Sequence, residues 1–450
     1  MLERSVSLRQ AVIYGVGVIL GAGIYALIGA SAGISGNALW ASFIIAAIIA
    51  SLTAFSYAEL SSRFSRASAE SFFVMNAFNS KYISFFIGFL AFCGAIFSAS
   101  TVAWGFATYF KLFFPIAPVL VAFGVIIVCA IINFIGIQES VKLNNLFTFI
   151  EAFGLILIII FGFIFISQHG LPDLTIGING ESGVALIPAL LSSAALIFFA
   201  FIGFEDIANI AEEVKDSQKN IPKAIILALL ISTIIYVLVS IVAVSVVSPA
   251  ALVEAGNVNN TLTNGPLALV AETAIMPGFG FWLSLIALFA TFNTALILLI
   301  VGSRLIYGLA EQKLLPKVLS VCHSKTKTPY FAIIIATLIA LAFVSIGKLE
   351  VLGSLTTMCT FLMFFAVNIS LVVIRFKEKK LPKSVLSPIN IGRMPVLALL
   401  GAIFCLAMFL TQYWSPITVL GITLPQIIFG IILFALSIPI FHFFNKEKFF

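Results

Sequence analysis

The sequence predicts an all-helical protein that crosses a lipid bilayer about twelve times. Of its 450 residues, 62% are hydrophobic and only 9% are charged, whereas a soluble domain carries roughly 25% charged residues. Its apolar runs have the length of about 20 residues that a membrane-spanning helix needs, and they are too long for the alternating strands of a membrane barrel. Because a bilayer offers no water to backbone groups, helices that satisfy their own hydrogen bonds remain as the architecture.

Twelve apolar segments are the predicted spans, and no segment between them is long enough for a separate soluble domain. They cover residues 11–32, 38–60, 83–109, 119–137, 146–166, 187–211, 225–247, 279–309, 330–346, 352–374, 395–413 and 424–444. The longest connection, 248–278, is expected to hold a short surface helix around 267–274. The first span is too long for the core of a signal peptide, so we expect it to be retained.

The positive charges predict the orientation of the chain. Lys and Arg accumulate on the cytoplasmic side of membrane helices. The connections between successive spans lie alternately on the two sides of the membrane. With this assignment, all of the 24 Lys and Arg residues except Lys111 and Lys348 fall on one side. We therefore expect a multi-pass protein of the cell membrane with both termini in the cytoplasm. The same distribution explains the net charge of +6 as a topology signal, and we expect no nucleic-acid partner.

The composition gives little support to metal or enzyme chemistry. The five cysteines have no paired or metal-type spacing, and the three histidines are scattered. His323 stands beside Cys322 without a second group of ligands nearby. We therefore expect no metal site, no catalytic residue and no cofactor other than a coupling proton or sodium ion.

Two predicted spans, the first and the sixth, are interrupted at mid-membrane depth. Span one contains closely spaced glycines over residues 15–23, and in span six residues 198–204 lead directly into Glu205 and Asp206. Glycine costs roughly 1 kcal/mol relative to alanine in a helix interior, and a carboxylate in mid-span costs roughly 2.5–3.5 kcal/mol. Close helix packing explains the glycines taken alone. An acid at a helix N-terminus explains Glu205, but then a helix must begin inside the membrane.

Interrupted helices at matching places in two halves of a chain are typical of a transporter's substrate site. The offset of five spans fits an inverted repeat, since an odd number of spans reverses the second copy. The free N–H groups of residues 21–23, and of the half-helix that begins near Ile24, form a predicted anion site. The carbonyl groups near Phe199 and Ala200 form a predicted cation site. An anion site next to a cation site matches the carboxylate and ammonium groups of an α-amino acid zwitterion.

Several stretches resemble the amino acid permeases of the amino acid–polyamine–organocation superfamily. They are residues 15–25 (GVGVILGAGIY), 56–64 (SYAELSSRF), 198–205 (FFAFIGFE), 211–215 (AEEVK), 220–224 (NIPKA), 302–307 (GSRLIY) and 314–316 (LLP). The resemblance covers about the first ten spans. It implies the leucine-transporter-type inverted repeat with discontinuous helices one and six over residues 1–374, with repeat one at about 8–166 and repeat two at about 187–374. A basic loop and two peripheral spans then occupy 375–450.

The resemblance also assigns roles to residues of the two interruptions. Gly21, Ala22 and Gly23 would hold the substrate carboxylate. Phe199 would close over the substrate as an aromatic gate, and Glu205 would lie beside the pocket. The predicted substrate site further includes the neighbouring Ile24, Ala200, Ile202 and Gly203.

Glu151 in span five is a candidate for ion coupling. Many family members have a lysine near the middle of this span, where it substitutes for a sodium ion, and Glu151 stands at the matching position. A bare carboxylate at this depth is too costly, so it must be protonated, ion-bound or paired across helices. Thr291 or Thr294 of span eight would complete a site for a proton or sodium ion. The structural alternative is a protonated Glu151 that hydrogen-bonds a neighbouring helix and never titrates.

The charged residues at the inner helix ends have simpler interpretations. Glu59 and Arg63 are four residues apart and are predicted to form an ion pair at the end of span two. Arg304 is expected to extend its side chain to the inner membrane interface. Glu212 and Glu213 are expected in a solvated cytoplasmic loop, with a role in inner gating as the alternative.

The sequence thus predicts a secondary active transporter that moves amino acids by alternating access, coupled to a proton or sodium gradient. An amino acid/polyamine exchanger is the alternative. A channel or an integral membrane enzyme is more distant, because the chain has neither a repeated pore motif nor clustered nucleophiles and bases. The expected partners are a small amino acid substrate and the lipid bilayer, with the protein as a monomer or homodimer.

Overall fold

The fold is almost entirely helical, as the composition predicts. The computed structural model describes residues 4–111, 113–256, 265–346, 349–378, 388–412, 416–419 and 422–445. Within these residues the α-helices are Leu8–Ser35 (α1), Leu39–Arg63 (α2), Ala69–Phe78 (α3), Lys81–Phe110 (α4), Pro118–Ile135 (α5), Ile137–His169 (α6), Ile187–Ile197 (α7), Asp206–Asn209 (α8), Ser217–Val246 (α9), Pro249–Gly256 (α10), Pro266–Ala274 (α11), Phe279–Glu311 (α12), Tyr330–Ile346 (α13), Leu349–Lys377 (α14), Val396–Gln412 (α15) and Gln426–Asn445 (α16).

Short elements connect these helices. The 3₁₀ turns are Gly36–Ala38, Gly183–Leu186, Phe198–Phe201 and Lys317–Ser320. Two antiparallel hairpins pair Asn390–Ile391 (β1) with Met394–Pro395 (β2), and Pro416–Val419 (β3) with Ile422–Pro425 (β4). The hairpins were not predicted, because strands of two to four residues are too short for a periodic pattern.

The helices have the length and polarity of membrane spans. In the described parts of the chain, nine helical segments are long and apolar enough to cross a membrane, and three shorter apolar helices cover Tyr330–Ser345, Val396–Leu410 and Ile428–Phe444. Large apolar side chains such as Phe149 and Phe153 are more than half exposed, at 56% and 59%, as expected for a surface that faces lipid. Three predictions stay open to test: the total of twelve spans, the inverted repeat and the division at residue 374. The described residues do not include the basic residues at 379–383 and 446–448 or the end of span eleven at 413.

Two connecting helices differ in how well the sequence predicted them. The helix expected around 267–274 is present as α11, but five of its nine residues are buried, so it packs into the bundle and does not lie on the surface. By contrast, α3 was not predicted, because its ten residues lie in what the span pattern marks only as a connection. This helix matters below, since it carries a buried acid.

The centre of the molecule is formed around α1. This helix packs against α6, α7, α9 and α12, and against the 3₁₀ turn Phe198–Phe201. Of the candidate spans, α4 and α12 are the most deeply buried and pack on each other. The predicted interruptions of spans one and six therefore lie in the interior of the bundle, away from the lipid-facing surface.

Candidate substrate site

The first helix break lies at Gly21 of α1. Its backbone has φ −23° and ψ −151° inside an otherwise helical run. A Cβ atom at this position would lie 2.2 Å from Thr294 Oγ1 of α12, so the close approach of the two helices requires glycine. The structure thus places the break of span one at the first of the three residues that the sequence singled out.

The second break follows α7. After the 3₁₀ turn Phe198–Phe201, Ile202 is extended with φ −60° and ψ 136°, and Gly203 has φ +123°, a conformation that favours glycine. The N–H group of Gly203 donates a hydrogen bond of 2.8 Å to Glu205 Oε2. Helical backbone resumes at Asp206 in α8. Glu205 therefore satisfies a backbone donor that the break leaves free, which is a structural contribution of this acid.

The two breaks touch each other. A Cβ atom on Gly23 would lie 2.8 Å from Ala200 Cα, so the backbones are in contact. The Tyr236 hydroxyl of α9 donates to the carbonyl oxygen of Ile19 and lies 3.1 Å from that of Ala200. A single side chain from a third helix therefore links the broken segments of α1 and of residues 198–203.

Tyr236 is not among the residues predicted for the site, although the sequence contains a signal for it. Ser232, Tyr236 and Ser240 recur every four residues in the largely aliphatic part of α9, and all three are buried. Residues four apart lie on one helix face. The spacing therefore marks a polar face of α9 that is turned towards the protein interior.

A cavity of about 70 Å³ lies beside the breaks. Of the predicted substrate residues, it is lined by Gly23, Phe199, Ala200, Ile202, Gly203 and Glu205. Gly21 and Ile24 are buried next to it and do not line it, whereas the side chain of Ala22 lies outside the described residues. The structure thus brings most of the predicted set to one cavity.

The two adjacent phenylalanines of the second break have different surroundings. Phe199 is partly buried and lines the cavity. Phe198 is 1% exposed and stacks on Phe361 of α14, with ring centroids 5.3 Å apart. Phe199 is therefore the ring in position to contact a bound molecule, and its role as a gate stays a prediction.

Three carboxylates line the same cavity, namely Glu205, Asp206 and Glu70. Glu70 is fully buried in the first turn of α3. Its Oε1 accepts hydrogen bonds from the Tyr57 hydroxyl (3.2 Å) and the Asn209 amide (3.0 Å). Burial raises the pKa of Glu70 to about 7, although these hydrogen bonds oppose the shift.

Glu70 and Asn209 are not among the residues predicted for the site. They are separated by 139 positions in the chain, so no local pattern joins them. The available signal is a single acid at the start of the apolar run 69–78, between basic segments. Such an acid resembles an ordinary loop charge until the tertiary structure shows its burial.

The predicted coupling residues are only partly brought together. Glu151 is fully buried on α6, which packs against α1 and α12. Within the described structure, neither of its carboxylate oxygens has a hydrogen-bond partner, so the bond to a neighbouring helix that the structural alternative requires is not seen there. Thr294 lines the cavity beside Gly21, whereas Glu151 and Thr291 do not line it.

The hydroxyl groups of Thr291 and Thr294 both hydrogen-bond to carbonyl groups of their own helix, α12. The Thr291 hydroxyl donates a hydrogen bond to the Ala287 carbonyl oxygen (2.9 Å). The Thr294 hydroxyl donates one to the Ala290 carbonyl oxygen (3.0 Å). Each hydroxyl oxygen retains acceptor capacity after this donation. An additional cation or donor is therefore required before either oxygen contributes to a site.

The expectation that Arg304 reaches the membrane interface is wrong. Arg304 is fully buried, and its Nη2 lies 2.9 Å from Glu213 Oε1, while Nη1 donates to Asn133 Oδ1 at 2.6 Å. Glu213 is 1% exposed, so its expected place in a solvated loop is wrong as well. The loop is covered because Val6, at the N-terminus, pairs with Val214 in a parallel bridge.

The ion pair predicted at the end of α2 is present. Arg63 pairs with Glu59, and its Nη1 also lies 2.9 Å from Glu378 Oε1. Glu59 is fully buried and pairs in addition with the buried Arg375 of α14. Two arginines compensate the buried carboxylate, Arg375 through both Nε and Nη2 and Arg63 through Nη2 alone, so this cluster joins α2 to α14.

Comparison with known proteins identifies the family. The family model described as amino acid permease matches residues 6–436, a range that contains both breaks and every residue that lines the cavity. The chain belongs to the amino acid permease family. The resemblance predicted from the motifs is thereby confirmed.

Curated relatives of this permease are similar along most of its length. A branched-chain amino acid permease of Bacillus subtilis is 28% identical over 438 residues, which cover 92% of this chain and 90% of the relative. A methylthioribose transporter of the same bacterium is 28% identical over 427 residues, or 90% and 87% of the two chains. A vacuolar cationic amino acid transporter of Arabidopsis thaliana is 28% identical over 423 residues, or 85% and 62%. These are the names of transporters and not of enzymes.

Proposed function

We propose that this permease is a secondary transporter that carries an amino acid across the membrane by alternating access. The observation that supports the proposal is the contact between the two helix breaks at one cavity. Gly23 lines it from the side where backbone N–H groups favour a carboxylate. Phe199 and Ala200 line it from the end of a helix, where carbonyl groups favour an ammonium group.

The carbonyl groups of the second break retain acceptor capacity. The Phe199 carbonyl oxygen accepts a hydrogen bond of 3.2 Å from the N–H group of Ile202. The Ala200 carbonyl oxygen lies 3.1 Å from the Tyr236 hydroxyl. A carbonyl oxygen has two lone pairs, so each one can still accept from a substrate ammonium group. The expected ligand is therefore bound through its α-amino and α-carboxylate groups, whatever its side chain.

Counterflow in proteoliposomes tests this function. Vesicles preloaded with a mixture of unlabelled amino acids are diluted into the same labelled amino acids, one at a time. A carrier that alternates its access accumulates label transiently above the external concentration, because exchange exceeds net loss at first. Vesicles without protein are the control. A protein that gives no counterflow with any amino acid contradicts the proposal, and steady leakage without overshoot indicates a channel.

We further propose that Glu151 couples transport to a proton or sodium gradient. Its two oxygens are buried without hydrogen-bond partners in the described structure, and the same holds for Asn293 Oδ1 of α12. One turn from Glu151 along α6, Thr148 Oγ1 accepts a hydrogen bond of 3.3 Å from the Asn293 amide. Oxygen-rich packing between α6 and α12 supports a site for a proton or a hard cation.

The coupling proposal is tested by Glu151→Gln in proteoliposomes under a proton gradient and, separately, a sodium gradient. The substitution keeps the size of the side chain and removes its charge. We expect accumulation against a gradient to be lost while exchange of labelled for unlabelled substrate persists. Glu139→Gln, an exposed acid at the start of the same helix, is the matched control. If Glu151→Gln still concentrates substrate under the same gradient, Glu151 is not the coupling residue.

A further inference from the structure

Carboxyl groups from two separate parts of the chain line the cavity. Glu205 and Asp206 come from the break after α7, and Glu70 comes from α3. Among the described residues that line the cavity, none is Lys, Arg or His. The three acids therefore face a common space without a basic side chain from the cavity wall to balance them.

Glu70 has a fully buried acceptor atom without a partner in the described structure. Oε2 of Glu205 accepts the N–H group of Gly203, and Oε1 of Glu70 accepts from Tyr57 and Asn209. In contrast, Oε2 of Glu70 is buried and has no hydrogen-bond partner in the part of the chain that the structure describes. A buried acceptor without a partner is costly, so a ligand that donates a hydrogen bond to it removes this cost.

The position of Glu70 is held firmly. Asn209 of α8 donates to Glu70 through its amide, and its Oδ1 accepts the N–H group of Ala69 at 2.9 Å. Tyr57 of α2 donates to the same carboxylate oxygen and packs edge-on against Phe204, with ring centroids 5.9 Å apart. Contacts from two helices therefore fix the orientation of the Glu70 carboxylate.

We propose that the cavity selects an amino acid whose side chain carries an ammonium or guanidinium group. This inference rests on the proposed function and names its substrate class. The α-carboxylate and α-ammonium groups bind at Gly23 and at the carbonyl groups of residues 199–200. The side chain extends to the acidic end, where its cationic group donates to Glu70 Oε2 and lies near the carboxylates of Glu205 and Asp206.

The competing explanation is that the three acids bind protons alone. In that case the cavity is neutral when substrate enters, and an apolar side chain is accommodated at least as well as a charged one. The relatives do not decide between these possibilities, because their names include both branched-chain and cationic amino acids. Affinity for a matched pair of ligands does decide it.

The experiment measures binding of lysine and norleucine to the detergent-solubilised protein by equilibrium dialysis with labelled ligand. Norleucine has the same carbon chain as lysine and lacks only the terminal ammonium group. Three proteins are compared, namely the wild type, Glu70→Gln and Glu254→Gln. Gln at position 70 can keep the hydrogen bonds from Tyr57 and Asn209, whereas Glu254 is an exposed acid on α10 that serves as control.

We expect the wild type to bind lysine at least about tenfold more tightly than norleucine. In Glu70→Gln, Kd for lysine should rise about tenfold to a hundredfold, the range for loss of a hydrogen bond to a charged group, while Kd for norleucine should change by less than about threefold. Glu254→Gln should behave as the wild type.

Several results would overturn the inference. Wild-type protein that binds norleucine as tightly as lysine contradicts it, even if Glu70→Gln does not fold. A folded Glu70→Gln protein with unchanged preference for lysine contradicts the role of Glu70. Binding of norleucine or leucine without lysine leaves the proposed amino acid transport intact and rejects only the cationic class. Failure to bind or exchange any amino acid rejects the proposed function itself.

Discussion

Replacement of Gly23 by alanine tests whether the two helix breaks must touch for substrate to bind. The added Cβ would lie 2.8 Å from Ala200 Cα and 3.0 Å from Ala200 Cβ. Carbon atoms that are not bonded pack at roughly 3.5–4.0 Å, so the two backbones must move apart by about 1 Å. Overpacking of this kind costs roughly 1–3 kcal/mol.

The cost falls on binding because the substrate is expected to contact both breaks at once. A penalty of 1–3 kcal/mol corresponds to an increase in Kd of roughly fivefold to 150-fold. The assay is equilibrium dialysis with the amino acid that gives the strongest counterflow. Size-exclusion chromatography in detergent establishes that the variant is folded and monodisperse.

Two alanine variants of α4 provide matched controls for Gly23→Ala. At Gly94, which also lines the cavity, the nearest atom to an added Cβ is Cys359 Cβ at 3.4 Å, an ordinary contact. At Gly105 nothing lies within 4 Å. We expect both variants to bind nearly as the wild type does. If Gly23→Ala binds as tightly as these controls, the contact between the breaks is not needed for binding.

Three further predictions concern the gate, the inner ion pair and the buried acid of α3. Phe199→Ala should release bound labelled substrate faster than Phe199→Trp or the wild type, because it removes the ring that lines the cavity; equal release rates would make Phe199 a packing residue. Arg304→Met leaves Glu213 buried without its cation, which should lower the free energy of unfolding by roughly 3–5 kcal/mol. The melting temperature of this variant should therefore lie well below that of Arg66→Met, which changes a side chain that is 63% exposed. Similar melting temperatures would contradict the importance of the pair. Because burial raises the pKa of Glu70 from 4.5 to about 7, the folded protein binds this proton more tightly than the unfolded chain, and stability is lost as pH rises through that window. The wild-type melting temperature should therefore fall more than that of Glu70→Gln between pH 5 and pH 8, and parallel curves would disprove the shift.

The membrane class and the positions of the helix breaks follow from the sequence alone. Both depend on local properties of the chain, because an apolar run of about 20 residues is energetically suited to lipid wherever it packs. A glycine cluster or a mid-span carboxylate is similarly unfavourable in any helix interior. The structure accordingly shows its irregular backbone at Gly21 and at Ile202 and Gly203, within the segments that the pattern marked.

Only the tertiary structure decided which side chains meet at these breaks. Tyr236 lies 36 residues from Ala200 and 217 from Ile19, and Glu70 lies 139 residues from Asn209. Hydropathy and spacing indicate which face of a helix is polar, but they carry no information on which helix packs against that face. The burial of Arg304 shows the same limit. An arginine near a helix end has the sequence pattern of an interfacial residue, and only the structure shows that it pairs with Glu213, 91 positions away. Local energetics therefore determined where the helices break, and packing between helices determined the chemistry around the breaks.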